Sequence, residues 1–344
     1  MKRRICTTGL TLILLFPVAA LGAEKEADDG GLKIEGIVAF TEGPAWHPTG
    51  NVYFTDIVNN RIMRRDANGE LHAYRVDSGR ANGLLFDLHG RLLACEGGGP
   101  GGNRRVTRTE LNGTVTVLAD NFDGKRFNSP NDLAIDSRGR IYFSDPRYGS
   151  RSDLEQFDKQ GRAIEGVYRI DADGAITRVI AHEVDRPNGL CVSADDKHLF
   201  VADNVNDGPE NGVGGARKLW RFDLQPDGSV DAKSRALLFD WGTDRGPDGL
   251  AIDAQGRIYA AAGFNFPNLP AETAGRHKAG IYVISPTGEG LLKFYSVPED
   301  MITNCTFGDD DLKTLYVTAG HKLWSIRVDV PGRPAWPTGK SKGR

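Results

Sequence analysis

Cysteine is scarce in these 344 residues: four stand at Cys6, Cys95, Cys191 and Cys305, with no spacing that suits a zinc site. Cys6 falls in the N-terminal leader described below. The other three read as small buried strand residues, one pair of which is free to oxidise in an exporting compartment. Long apolar runs are missing beyond residue 21, so nothing later in the chain reads as a membrane span. A net charge of −3 without a polybasic run before the tail gives no footprint for nucleic acid or an acidic membrane. None of the seven histidines forms His-Glu-x-x-His, and no Gly-x-Ser-x-Gly elbow is present, which sets aside zincin and serine-hydrolase chemistry. Asp171-Ala172-Asp173-Gly174 opens like a calcium loop but lacks its later ligands, and reads as a hairpin turn. The glycine run at 97–102 has no following Lys and helix to make it a phosphate cradle; a mobile lid is expected there.

What is present begins with a leader. Lys2, Arg3 and Arg4 precede an apolar stretch over residues 10–21 and the small pair Gly22-Ala23. This is the order of a signal peptide cleaved near Ala23, and the apolar stretch is shorter than the roughly 20 residues a span requires. A leader over 1–23, export to the periplasm or beyond, and no stable membrane span after cleavage are therefore expected.

Self-similarity organises the rest. Six segments align, starting at Glu42 (EGPAWHPTGNVYFTD), Asn82 (NGLLFDLHGRLLACE), Asn131 (NDLAIDSRGRIYFSD), Asn188 (NGLCVSADDKHLFVAD), Asp248 (DGLAIDAQGRIYAAAG) and Asn304 (NCTFGDDDLKTLYVTAG). Each reads as a short apolar strand, a turn bearing Asp or Gly, and a second strand rich in β-branched and aromatic residues. Further strands follow in most repeats, giving about four per unit, and 43 glycines supply the turns. The expected fold is all-β: a six-bladed β-propeller over residues 32–328, with four-stranded antiparallel blades around a central channel and a flexible tail over 331–344. The last repeat has only about three strands, so the stretch 32–40 is expected to complete it and close the ring. Two stacked β-domains or an open solenoid are the rivals, and the irregular repeat spacing argues against the second.

Radial symmetry brings the six repeat starts to one ring. All six are oxygen donors, and Asp56, Glu96, Asp145 and Asp203, at the ends of the second strands, are expected on the same face. Carboxylates gathered this closely repel unless a cation or hydrogen bonds stabilise them. Oxygen ligands without His or Cys favour Ca²⁺ first, then Mg²⁺ or Mn²⁺, with Zn²⁺ tolerated. The competing explanation is that Asn and Asp at strand ends simply cap turns. The longest loops, 97–103, 148–165, 204–217 and 264–279, all follow second strands and are expected to overhang this mouth.

Glu42-Gly43-Pro44, Asn128-Ser129-Pro130-Asn131-Asp132, Pro187-Asn188-Gly189 and Pro247-Asp248-Gly249-Leu250 resemble the motifs of the gluconolactonase-like (SMP-30/regucalcin-like) family, over residues 35–328. The resemblance implies that Glu42, Asn131, Asn188 and Asp248 ligate one divalent metal. It further implies hydrolysis of a sugar lactone or related ester, with the metal polarising the carbonyl and Asp248 activating water. Asn131, Asn82, Glu96, Arg126 and Asn304 are the candidates for orienting substrate hydroxyls. Many relatives carry His after the acid of Cys95-Glu96-Gly97, and its absence here removes a His-assisted step at that position. A phosphoester-type hydrolase on the same site, and a non-catalytic sugar- or protein-binding propeller with a structural metal, remain as alternatives.

Overall fold

A computed structural model describes residues 31–207 and 215–334. The proposed leader lies outside the described residues, as do residues 335–344 of the tail.

The chain opens with β1 (Lys33–Ile37) and then builds five blades in sequence. Blade one contains β2 (Thr41–Trp46), β3 (Val52–Asp56), β4 (Arg61–Arg65) and β5 (Leu71–Val76). Blade two follows with β6 (Ala81–Phe86), β7 (Leu92–Glu96), β8 (Arg105–Thr109) and β9 (Val115–Ala119). A two-residue hairpin, β10 (Asn121–Phe122) and β11 (Lys125–Arg126), leads to blade three: β12 (Leu133–Ile135), β13 (Ile141–Asp145), β14 (Gly166–Ile170) and β15 (Ile176–Ile180). Blade four is β16 (Pro187–Val192), β17 (His198–Asn204), β18 (Arg217–Leu224) and β19 (Val230–Asp240). Blade five is β20 (Leu250–Ile252), β21 (Ile258–Ala262), β22 (Gly280–Ile284) and β23 (Leu291–Ser296). Blade six has β24 (Ile302–Gly308), β25 (Thr314–Ala319) and β26 (Lys322–Arg327), and β1 pairs antiparallel with β26 as its fourth strand. The fold is a six-bladed β-propeller, closed by its own N-terminal strand.

A recurrent turn explains why the inner hairpins form. In blade two the Asp87 carboxylate accepts the backbone N–H groups of His89 and Arg91, both at 2.9 Å, while its other oxygen takes Arg91 Nε at 2.7 Å. Asp136 with Arg140 and Asp253 with Arg257 repeat the arrangement. Gly90, Gly139 and Gly256 take φ of 75°, 80° and 80° at the same turn position, a conformation with little steric cost only for glycine. Beyond the turn the second strands are buried throughout, and the outer strands alternate with solvent. The core lies between blades: Leu93, Cys95 and Val106 of blade two pack with Phe127, Phe143 and Tyr168 on the blade-three side.

Cys95, Cys191 and Cys305 are the small buried strand residues expected, with no pair oxidised. One expectation changes, because the start of the predicted tail is fixed: Ala254 N donates to Pro331 O, Gly332 N to Leu312 O and Arg333 N to Ile252 O, which seats residues 331–333 across the turn end of blades five and six.

Candidate functional site

The inner strands are interrupted where the repeat starts fall. The ladder shifts register between Glu42 and Ala45, Ala81 and Leu84, Pro187 and Leu190, and Ile302 and Asn304, while β12 and β20 begin only after Asp132 and Gly249. Such bulges release backbone groups and re-aim side chains. The released groups bond to the next blade: Gly83 N donates to Asn131 O at 2.7 Å, Gly189 N to Asp248 O at 2.9 Å and Gly249 N to Thr303 O at 2.7 Å. These bonds define a first tier of Glu42, Asn82, Asn131, Asn188, Asp248 and Thr303. A second tier directly after it holds Gly43, Gly83, Asp132, Gly189, Gly249 and Asn304.

Asn304 therefore sits one step from its expected place. Thr303 occupies the sixth first-tier position, with Oγ1 bonded to Thr41 O at 3.0 Å and Thr318 Oγ1 at 2.8 Å, tying blade six to blade one. Asn304 Nδ2 instead donates to Asp132 Oδ2 at 3.2 Å, joining blades three and six, which are opposite in the ring. The four second-tier glycines make room for this crossing, since a Cβ on Gly43, Gly83, Gly189 or Gly249 would stand closer than 3.0 Å to a neighbouring blade. The crossing separates the first tier from a cavity of about 350 Å³ at the turn end of the channel, lined chiefly by aliphatic residues such as Leu84, Leu133, Leu190 and Leu250.

Electrostatics mark the first tier as one site. Glu42 is 4% exposed, and its Oε2 accepts the adjacent Gly43 N at 2.8 Å. Burial first, and then the charge of Asp248, hold its carboxyl well above the usual range. Burial also raises Asp248, to about 6, against the opposing pull of the Arg245 guanidinium, whose Nη2 lies 2.7 Å from Asp248 Oδ2. Asp132 is pushed by burial to about 7. Asn188 Nδ2 donates to the Tyr148 hydroxyl at 2.8 Å, and Tyr148 in turn donates to Asn204 O at 3.1 Å. With the nitrogen so engaged, the Asn188 carbonyl oxygen is the atom left to accept or ligate. Asn82 Oδ1 is buried with no hydrogen-bond partner among the described residues. Two carboxylates and the amides of Asn131 and Asn188 form a donor set that fits a hard divalent cation, and the orphan Asn82 oxygen is an acceptor beside it.

The strand-end acids serve a different purpose. Asp56, Asp145 and Asp203 accept backbone N–H groups from Phe40, from Asn128 and Ser129, and from Asp185 and Arg186, clamping the segment that leads into each inner strand. Glu96 is wholly engaged by Arg75 at 2.7 Å, Thr107 at 2.9 Å, Asn103 at 2.6 Å and Arg105 at 2.7 Å, which leaves no oxygen for a substrate hydroxyl. Arg126 is exposed and paired with Glu155 at 2.6 Å. The loops are pinned rather than loose. Gly98 N bonds to Ser129 Oγ at 2.8 Å, Glu165 accepts Arg147 N at 2.6 Å, and Asp244 gathers the N–H groups of Gly275, Arg276 and His277. The 204–217 loop lies partly outside the described residues. Asp66, Glu70 and His72 bring ligand atoms within 4.8 Å of one another on an outer hairpin of blade one, but Asp66 is there the cap of its turn, accepting Asn68 N and Glu70 N.

Comparisons with known proteins agree with the propeller fold. The SMP-30/Gluconolactonase/LRE-like region family matches residues 40–321. A gluconolactonase of Zymomonas mobilis subsp. mobilis is 30% identical over 316 residues, covering 86% of this chain and 80% of the relative. A pentonolactonase, XacC, of Haloferax volcanii is 27% identical, covering 80% of each chain. Among solved structures, a gluconolactonase from Xanthomonas campestris superposes with a TM-score of 0.68 at 27% identity, covering 87% of this chain and 89% of its own.

Proposed function

Since the chain belongs to the SMP-30/gluconolactonase/LRE-like family, we propose that it is a lactone hydrolase acting on a sugar lactone at a divalent cation held by Glu42, Asn131, Asn188 and Asp248. The observation that carries this reading is the buried first tier, where four blades contribute oxygen donors and the charge of Asp248 adds to burial in raising the proton affinity of Glu42. Ca²⁺, Mg²⁺, Mn²⁺ and Zn²⁺ are the candidate ions. The bound cation supplies Lewis-acid polarisation of the lactone carbonyl and stabilises charge developing on its oxygen.

The chain's own residues do the rest. Asp248 accepts a proton from the attacking water as the water oxygen bonds to the carbonyl carbon. When the ring C–O bond breaks, the leaving alkoxide recovers that proton from Asp248, and the product is the open hydroxy acid. Asn82 and Asn131 present amides to the sugar hydroxyls, and Arg245 holds the Asp248 carboxylate through Oδ2. The Asp132–Asn304 crossing closes the second tier beneath them, so the substrate is approached from the loop face.

The test is a panel of aldonolactones assayed by acid release before and after chelation, with each ion restored in turn. Activity is expected to disappear on chelation and return with at least one ion. Asp248→Asn is expected to lower kcat by about 10² to 10⁴, the usual worth of a general base. A protein that binds lactones but opens none in any ion would be a binding module, and this reading would fall. Export is proposed alongside: the mass of the mature protein should correspond to a chain beginning near residue 24, and an intact Met1 would reject it.

A further inference from the structure

Arg245 is an unusual neighbour for a cation site. Its guanidinium bonds Asp248 Oδ2 at 2.7 Å, and Nη1 lies 3.6 Å from Glu272 Oε1. Glu272 reaches in from the long 264–279 loop and is 0% exposed; its Oε2 accepts Asn268 Nδ2 at 3.2 Å, and Oε1 stands 4.0 Å from Arg217 Nε. The Phe264 ring covers the guanidinium at 5.1 Å. Arg245 is 2% exposed, hydrogen-bonded to Asp248 and within ion-pair range of Glu272. One lone pair of Asp248 Oδ2 is thereby engaged beside a positive charge, which leaves Oδ1 as the freer oxygen for an ion.

That commitment has a consequence for ion choice. Ca²⁺ gathers about six to eight oxygens and readily takes both oxygens of one carboxylate, whereas Mg²⁺ keeps a tight octahedron and is content with one. We propose that Arg245, braced by Glu272, is the residue that sets the ion preference of the site, by engaging the second oxygen of Asp248 and so disfavouring Ca²⁺ relative to Mg²⁺. The guanidinium charge also opposes every dication alike, so the two effects separate cleanly: charge alters both affinities together, and oxygen supply alters their ratio. The loop at 264–279 is thus linked to Asp248 through an ion-pair chain.

This rests on the ion site proposed above, and calorimetric titration of the full chain with Ca²⁺ and with Mg²⁺ tests both readings separately. Arg245→Gln is expected to tighten both ions and to move the Ca²⁺/Mg²⁺ affinity ratio about tenfold toward Ca²⁺. Glu272→Gln is expected to move the ratio the same way by a smaller factor, and the double variant no further than Arg245→Gln alone. Arg245→Lys, which keeps a cation but cannot fork between two carboxylates, should fall between, and it serves with Glu272→Gln if Arg245→Gln does not fold. A ratio unchanged within about twofold, with binding still abolished by Glu42→Gln, overturns this inference alone. Ion binding indifferent to Glu42→Gln overturns the site as well.

Discussion

At the scale of single residues, the first and second tiers concentrate acids where water is scarce. Glu42, Asp132 and Asp248 are each 6% exposed or less, and burial is the largest cause of the raised proton affinity of all three. For a carboxyl raised from its ordinary value the sign is fixed: the folded state binds the proton more tightly than the unfolded chain. The contribution to stability is complete below the ordinary carboxyl range and is lost as pH rises through the folded value. Asp132, at about 7, and Asp248, at about 6, therefore place this loss between about pH 4 and 7. In chelator the thermal midpoint is expected to be higher at pH 5 than at pH 7.5, and Asp132→Asn should flatten the difference. A midpoint that rises with pH over this window in chelator would contradict the assignment. Added Ca²⁺ or Mg²⁺ should reverse the trend, because the ion competes with protons for the same oxygens.

At the scale of the strand, the bulges at the tier do more than orient side chains, because they exchange ladder bonds for bonds between blades. The close approach depends on glycine: a Cβ on Gly189 would collide with the backbone oxygen of Asp248 and with Gly249. Gly189→Ala is expected to cost about 1–3 kcal/mol or to abolish soluble expression, read by thermal or denaturant unfolding. Gly256→Ala, at an exposed turn with open space around it, should lose less, through its positive φ alone. The same bulges show what a sequence reveals and what it hides. Glu42, Asn131, Asn188 and Asp248 were legible because each stands beside Gly or Pro at one repeat position. The sixth blade carries no such glycine and its turn is one residue longer, so spacing alone puts Asn304 where Thr303 stands. Asp132, Tyr148, Arg245 and Glu272 left no periodic trace. Each acts across a contact between blades or loops, which spacing along one chain does not encode. Glu96 misled for the converse reason, since its partners Arg75, Asn103 and Arg105 come from two blades and a loop.

At the scale of the molecule, ring closure is shared between the five-residue strand β1 and the packing of blade one on blade six. The pairing of Lys33–Ile37 with Lys322–Arg327 covers the outer edge of blade six, while Thr41 Oγ1 bonds to Gly320 O and Lys322 O where blade one begins. Removing residues up to Gly36 would leave β26 as an open edge, a template for pairing with other chains. Such a truncation is expected to lower the thermal midpoint and promote self-association, seen by light scattering; a midpoint equal to that of the full chain would show that the inner-strand contacts suffice to hold the ring.

The shared sixth blade also sets an order in time. Its outermost strand precedes the other five blades along the chain and its other three strands follow them, so a ribosome must deliver Arg327 before that sheet has all its members. Thr303, the crossing partner Asn304 and the seat for residues 331–333 emerge late as well. The ring that frames the proposed site is therefore incomplete, however many blades have already folded, until Lys322–Arg327 can pair with Lys33–Ile37.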